Sequence, residues 1–358
     1  MKPLPVEDLE QILRATPALW ETARERRIFI SGGTGFFGTW LLESLAFCNR
    51  RLNLNLSATV LSRDPEAFAR RIPHLAGEDS IRFLRGDMVD FAFPKEPFDF
   101  IIHTATPTSG EETRQPQLRA NMLAGMERMI AFAEDRAVRR FLFTSSGAVY
   151  GPQPETISHI PESYAGKPKT PYGEAKLACE QMCAQCAQQS GIGFAIARCF
   201  TFVGPHLPLD QHFAIGNFIG DALAGRNIRI ASDGTPMRSY LHAVDLAIWL
   251  WTLLLRPFDA GRGLQVYNVG SGAAVSISDL AREVVAELNP SLLNPSLLNP
   301  SLQVEIAQNA VAGAPLKQYV PDVSKAESQL GLRQTIGLRE AIRRTADWYR
   351  RNAGKEEK

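Results

Sequence analysis

Charge of one sign is what this 358-residue chain lacks most plainly: 39 lysines and arginines stand against 38 aspartates and glutamates, a formal net of +1. That balance gives no electrostatic basis for holding nucleic acid or an anionic membrane surface. Long apolar runs are also missing. The longest, AVDLAIWLWTLLL (243–255), carries Asp245 and falls short of the roughly 20 residues that cross a bilayer. It predicts a buried helix, and no membrane insertion is expected. The opening MKPLPVEDLEQILRAT has acids where a secretory leader carries a basic patch and an apolar stretch. Cysteines are few and odd in number, five in all. They suggest free thiols in a reducing cytoplasm rather than a disulfide framework. Cys179, Cys183 and Cys186 share one helical face, but with no histidine among them they read as packing, and no metal site is expected.

What is present is an alternation of two periods. RRIFISGGTGFFGTWLLESL reads as a β-branched strand, a glycine turn and a helix. SATVLSR, IRFLRGD, FDFIIHTAT, RRFLFTSS and GFAIARCF read as further strands, with LRANMLAGMERMIAFAEDR and PYGEAKLACEQMCAQCAQQ as helices between them. Strands alternating with helices predict an α/β fold, a Rossmann-type doubly wound parallel sheet with a smaller C-terminal α/β substrate-binding lobe. We divide the chain into an N-terminal helical extension (1–26, opening with a capped amphipathic helix), a dinucleotide-binding domain (27–203, with 239–260 returning to it), the lobe (204–238 and 261–350) and a tail (351–358). NPSLLNPSLLNPSL (289–302) repeats a five-residue unit whose prolines prevent a continuous helix. It reads as an expanded surface loop.

Gly32, Gly35 and Gly38 form G-x-x-G-x-x-G between the first strand and the first long helix. Glycines there allow a tight turn and a close approach to a pyrophosphate, while the helix N-terminus offers N–H donors. At the end of the second strand, Ser62 and Arg63 stand where an acidic residue would bond the ribose 2′-hydroxyl of NAD. An arginine can pair with a 2′-phosphate, so these residues lean toward NADP, although neighbouring Asp64 could face the ribose. Asp87 is placed to reach an adenine edge. Tyr172 and Lys176, in PYGEAK, lie one helical turn apart on one face. An ammonium near a phenol lowers its pKa and makes it a general base for an alcohol beside a nicotinamide.

GGTGFFG, HTA, RANMLAG, TSSGAVYG, PYGEAK, ARCFTFVGP, DGTPMRSYLHAVDLA, YNVGS and PDVSKAESQLGL follow one another in this order. The order resembles that of the extended short-chain dehydrogenase/reductases, the NAD-dependent epimerase/dehydratase proteins that modify nucleotide sugars. The resemblance runs from about Arg27 to Tyr349. It implies a tightly bound NAD or NADP held by Gly32, Thr34, Gly35, Phe36, Phe37, Gly38, Ser62, Arg63, Asp87, Met88, Thr104, Ala105, Thr106, Thr144 and Lys176. It implies Tyr172 as base, Lys176 as its pKa modulator and ribose ligand, Ser146 as the hydroxyl on the reacting sugar and Asn121 as a support for the lysine. Thr201, Asn217, Ile230 and Arg238 join Ser146 and Tyr172 as contacts to a nucleotide-diphosphate sugar, and a homodimer through the Asn121 and Tyr172 helices is implied.

Two departures bear on the reaction. Sugar 4,6-dehydratases of this family carry an Asp-Glu pair directly after the Ser/Thr, and the decarboxylases keep the glutamate. Here those places are Gly147 and Ala148, which offer neither acid nor base. Thr201 stands where a diphosphate-contacting asparagine is usual. The expected activity is therefore a sugar 4-epimerase working by reversible hydride transfer through a 4-keto intermediate. The alternatives are a 4-ketoreductase, a dTDP-glucose 4,6-dehydratase- or UDP-glucuronate decarboxylase-like enzyme using a displaced acid or base (Glu155, His159, Glu162 or Glu174), and a cofactor-binding regulatory homologue. Tyr150 is expected as a packing or sugar-lining ring.

Overall fold

The computed structural model describes residues 1–106, 117–211, 213–256, 263–289, 302–311 and 313–353. Its helices are α1 (Val6–Ala15), α2 (Phe36–Leu52), α3 (Pro65–Arg71), α4 (Pro73–Ala76), α5 (Gln117–Asp135), α6 (Pro171–Ser190), α7 (Ala214–Leu223), α8 (Ala243–Leu255), α9 (Ile277–Leu288), α10 (Ser324–Leu330) and α11 (Leu338–Ala353). The strands β1 (Arg27–Ser31), β2 (Ser57–Ser62), β3 (Ile81–Arg85), β4 (Phe100–His103), β5 (Arg140–Ser146) and β6 (Gly193–Cys199) are those the sequence predicts. With β11 (Leu264–Val269) they form a seven-stranded sheet in the order β11-β6-β5-β4-β1-β2-β3, every pairing parallel. The order reverses between β1 and β4, and a crevice opens beyond their carboxyl ends.

Alternation along the strands sorts side chains onto two faces. Ile28, Ile30, Ile102 and Leu142 join the core under α2 and α8, whereas Phe29, Ile101, Phe141 and Phe143 join the aromatic core under α5 and α6. Every residue of α8 is buried, as the apolar 243–255 run predicts. Asp245 is tolerated inside because its carboxylate accepts hydrogen bonds from the Thr335 hydroxyl (2.5 Å) and the backbone N–H of Thr335 and Ile336. Among the described residues no helix is long and apolar enough to cross a membrane.

Short strands build the lobe: β7 (Phe202–Val203) pairs with β10 (Leu241–His242), β8 (Ile228–Ile230) with β13 (Val304–Ile306), and β9 (Met237–Arg238) lies between β12 (Val275–Ser276) and β14 (Gln318–Tyr319). Two expectations change. β11 falls inside the 261–350 segment assigned to the lobe, yet it pairs along β6 as the sheet's edge. The first helix has Pro5 at its N-cap and no side-chain cap. The residues before β1 pack on the body of the protein: Asp8 pairs with Arg344 at 2.6 Å, Trp348 donates to the Pro3 carbonyl and Trp20 is fully buried. The five cysteines are free and buried, with Cys179 and Cys183 facing Met122 and Met126 across the α5–α6 contact. That packing uses the Met- and Cys-rich faces within the subunit. The core of the repeat (290–301) and residues 354–358 of the tail lie outside the described residues.

Candidate active site

The three glycines of the first turn do different work. Gly32 takes a left-handed φ of +77°, and a Cβ there would lie 2.4 Å from the Ala105 nitrogen. A Cβ on Gly38 would lie 2.3 Å from the Gly33 backbone, so this glycine lets α2 close onto the turn. Gly35, the N-cap of α2, has open space: an added Cβ would meet only the Gly32 carbonyl, at 3.6 Å. A bare backbone facing a cavity at the positive end of a helix fits a pyrophosphate. The cavity, about 400 Å³, is lined by Gly32, Thr34, Gly35, Ser62, Arg63, Asp87, Met88, Thr104, Ala105, Thr106 and Asn121. A dinucleotide therefore fits on the residues present. Asp64 does not face this cavity, because its carboxylate caps α3 by accepting from the Ala67 N–H at 2.9 Å.

A second, larger cleft of about 1260 Å³ adjoins it and is lined by Phe36, Phe37, Thr144, Ser146, Tyr172, Lys176, Thr201 and others. α6 starts here because Thr170 accepts a hydrogen bond from the Gly173 N–H (3.1 Å) and Pro171 occupies the first turn. Such a cap contributes about 1 kcal/mol and fixes where Tyr172 and Lys176 emerge. β5 ends as Ser146 accepts from the Ala148 N–H at 3.1 Å and the chain enters a tight turn over Gly147–Tyr150. Ser146 and Tyr172 line this cleft together. Lys176 is buried, and its ammonium donates to Thr106 Oγ1 (2.9 Å) and the Thr144 carbonyl (2.7 Å). Burial outweighs the neighbouring thiols and Glu180 and pulls its pKa down to about 8.

The expected effect of Lys176 on the phenol needs correction. Its ammonium lies 5.8 Å from the Tyr172 ring centre and is turned toward Thr106 and Thr144. Burial dominates instead and pushes Tyr172 up to about 12, opposed by the nearby Ser146 hydroxyl. Asn121 lines the dinucleotide cavity, and among the described residues it makes no hydrogen bond to Lys176.

A turn built for a pyrophosphate, beside a Ser–Tyr–Lys wall in this chain order, has a counterpart among known families. The family model described as the NAD dependent epimerase/dehydratase family matches residues 28–270. The chain belongs to that family. UDP-glucuronic acid decarboxylase 3 of Arabidopsis thaliana is 29% identical over 324 residues, 88% of this chain and 86% of the relative. The UDP-glucose 4-epimerase of Pasteurella multocida is 26% identical over 355 residues, covering 91% of this chain and 98% of its own. Among solved structures, MoeE5 in complex with UDP-glucuronic acid and NAD is 25% identical with a TM-score of 0.72, covering 91% of this chain and 99% of that one.

As an epimerase/dehydratase family member, the chain keeps the nucleotide end of its site less openly. Thr201 lines the cleft, but its hydroxyl donates to the Ser239 carbonyl. Ile230 is 3% exposed, and its carbonyl accepts from the Ala307 N–H in the β8–β13 pairing. Asn217 on α7 and Arg238 on β9 do not line the cleft; the Arg238 guanidinium donates to the Met237 carbonyl. Tyr150 is a structural ring, donating to Asn268 Oδ1 (2.7 Å) and accepting from Arg198, which is paired with Glu180. Of the displaced acid or base candidates, Glu155, His159, Glu162 and Glu174 all lie outside the cleft lining. Glu162 accepts from the Asn268 N–H, and His159 Nε2 meets the Gly272 carbonyl.

Sequence reasoning missed Tyr319. It arrives from β14 and lines the cleft with Ser146. A Cβ on Gly147 would lie 2.7 Å from its hydroxyl oxygen and 2.8 Å from the Phe200 ring. A lone tyrosine on a two-residue strand carries no local signal of this. Only the pairing of β14 with β9, beyond the repeat, brings it to the end of β5.

Proposed function

We propose that the protein is a nucleotide-sugar 4-epimerase acting through a 4-keto intermediate. One observation carries this reading: the space beside Gly147 is filled by the Tyr319 hydroxyl and Phe200, with no carboxylate there. Among the described residues the one carboxylate lining the cleft is Asp210, which stands beside Tyr349. Removing the C6 hydroxyl would need a second acid and base near Ser146, whereas oxidation and reduction at C4 need only one proton carrier. When bound, the dinucleotide supplies a ring that accepts and returns a hydride and, when oxidised, adds positive charge to the cleft.

The chain's own residues do the rest. Ser146 hydrogen-bonds the sugar hydroxyl, and Tyr172 takes its proton and later returns it. Lys176, held by Thr106 and Thr144, presents its ammonium to the cofactor ribose. Thr34, Gly35 and the first turn of α2 hold the pyrophosphate. Arg63 and Ser62 line the adenosine end while Asp64 is committed to its cap, so we expect NADP to bind at least as well as NAD. The UDP-sugar activities of the two relatives named above make a UDP-sugar the first substrate to try, and a homodimer is expected. The test is incubation of UDP-, dTDP-, CDP- and GDP-sugars with NAD or NADP, read by NMR. Interconversion of C4 epimers supports the reading; a 4-keto-6-deoxy product or loss of carbon dioxide overturns it.

A further inference from the structure

Asp64 serves a helix rather than a ribose, and the far end of that helix carries Arg71. The Asp64 carboxylate accepts from the Ala67 N–H at 2.9 Å and Pro65 takes the first helical position, so α3 starts here. It ends at Arg71, about 10 Å on, because Ile72 leaves the helical conformation before Pro73 opens α4. Phe68 and Ile72 are buried and pin that end to the core. The Arg71 guanidinium lies over the Phe68 ring, 5.5 Å from its centre, and donates to the Thr34 carbonyl in the glycine turn.

A guanidinium holds five N–H donors in a planar fork. Among the described residues, that of Arg71 makes no other hydrogen bond and no ion pair. It lines the cleft together with Gly32, Gly35 and Phe36. The turn itself, GGTGFFG, brings no charged side chain, whereas a pyrophosphate brings a negative charge on each phosphate. The other arginines and lysine lining the two cavities are placed elsewhere. Arg63 stands at the end of β2, Lys176 is held by Thr106 and Thr144, and Arg226 pairs with Asp221 at 2.8 Å.

We propose that Arg71 binds the cofactor pyrophosphate and grips the phosphate on its nicotinamide side. This rests on the reading of the glycine turn as the pyrophosphate site. The side follows from the lining: Arg71 borders the cleft of Tyr172 and Lys176, not the cavity of Ser62, Arg63 and Asp87. A fork already anchored by the Thr34 carbonyl loses little freedom when it bonds two phosphate oxygens. A nucleotide sugar brings a diphosphate into the same cleft, but the bond to Thr34 puts the guanidinium on the turn and favours the dinucleotide. The competing account is a clamp that only ties α3 to the turn.

Calorimetric titration of the full chain, freed of nucleotide, with AMP, ADP, ADP-ribose, NAD and UDP separates these accounts. Arg71→Gln should weaken ADP, ADP-ribose and NAD about thirtyfold, and AMP and UDP less than about threefold. The melting temperature of the cofactor-free protein should stay nearly unchanged. Arg71→Lys keeps the charge without the fork and should recover only part of the loss, leaving about fivefold. Unchanged affinity for ADP-ribose in Arg71→Gln overturns the proposal. Equal losses for AMP and ADP, which a clamp predicts, also overturn it. A loss confined to UDP overturns it too and gives the guanidinium to the nucleotide sugar. If the unaltered protein binds neither NAD nor ADP-ribose, the reading of the turn fails and takes the proposal with it. That result is distinct from a variant that binds as well as the unaltered protein, which removes the proposal alone.

Discussion

The dinucleotide cradle and the sugar-nucleotide lobe are built by different rules. In the cradle each important residue sits at an element end fixed by a local signal: Gly35 caps α2, Thr170 caps α6, and Ser146 closes β5. In the lobe, two-residue strands are paired across long stretches of chain, as β14 is with β9. Groups on local caps land where spacing alone says they will. Groups on long-range pairings do not, which is why Tyr319 enters the site while Arg238 stays outside its lining.

That contrast can be broken or sharpened in order of expected effect. Tyr172→Phe removes the proposed base and should cost about a thousandfold or more in kcat, with cofactor affinity unchanged when measured by equilibrium titration. Within the cradle the glycines should separate. Gly38→Ala drives a Cβ against the Gly33 backbone and should lower the melting temperature of the cofactor-free protein steeply. Gly35→Ala has room and should leave that temperature nearly unchanged while weakening dinucleotide binding on the order of tenfold.

Lys176 tests whether the cradle holds stored instability. Its folded pKa lies below the unfolded one, near 8 against 10.5. The folded state therefore binds fewer protons between those values. The cost of burying the cation is full below about pH 8 and is relieved as pH rises toward 10.5. Lys176→Met should abolish turnover yet raise the melting temperature at neutral pH by a few degrees, with a gain that shrinks in alkali. The smallest effect is expected in the lobe: Arg238→Ala should change the KM for the nucleotide sugar by less than about threefold. A tenfold rise would mean that the lobe closes on its ligand and that the contrast between the regions fades on binding.

Most of the sheet was legible because its strands, buried on both faces, are short continuous apolar and β-branched runs. β1 to β6 and α2, α5 and α6 all lie where their patterns put them. The edge strand β11 was misassigned because LQVYNV follows the lobe in sequence and only its pairing with β6 places it. The Ser–Tyr–Lys wall was legible as chemistry but not as electrostatics, since burial of Tyr172 outweighs the distant ammonium. The blank at Gly147 was visible in the sequence, and what fills it was not.

The central claim is that this cleft oxidises and reduces one sugar carbon without a second acid–base pair. Turnover of UDP-glucose in deuterated water, followed by NMR of the sugar ring, tests it directly. A hydride returned to the carbon it left predicts a UDP-galactose product with no solvent deuterium at C4, C5 or C6. Deuterium at C5, with loss of the C6 hydroxyl, would contradict the account.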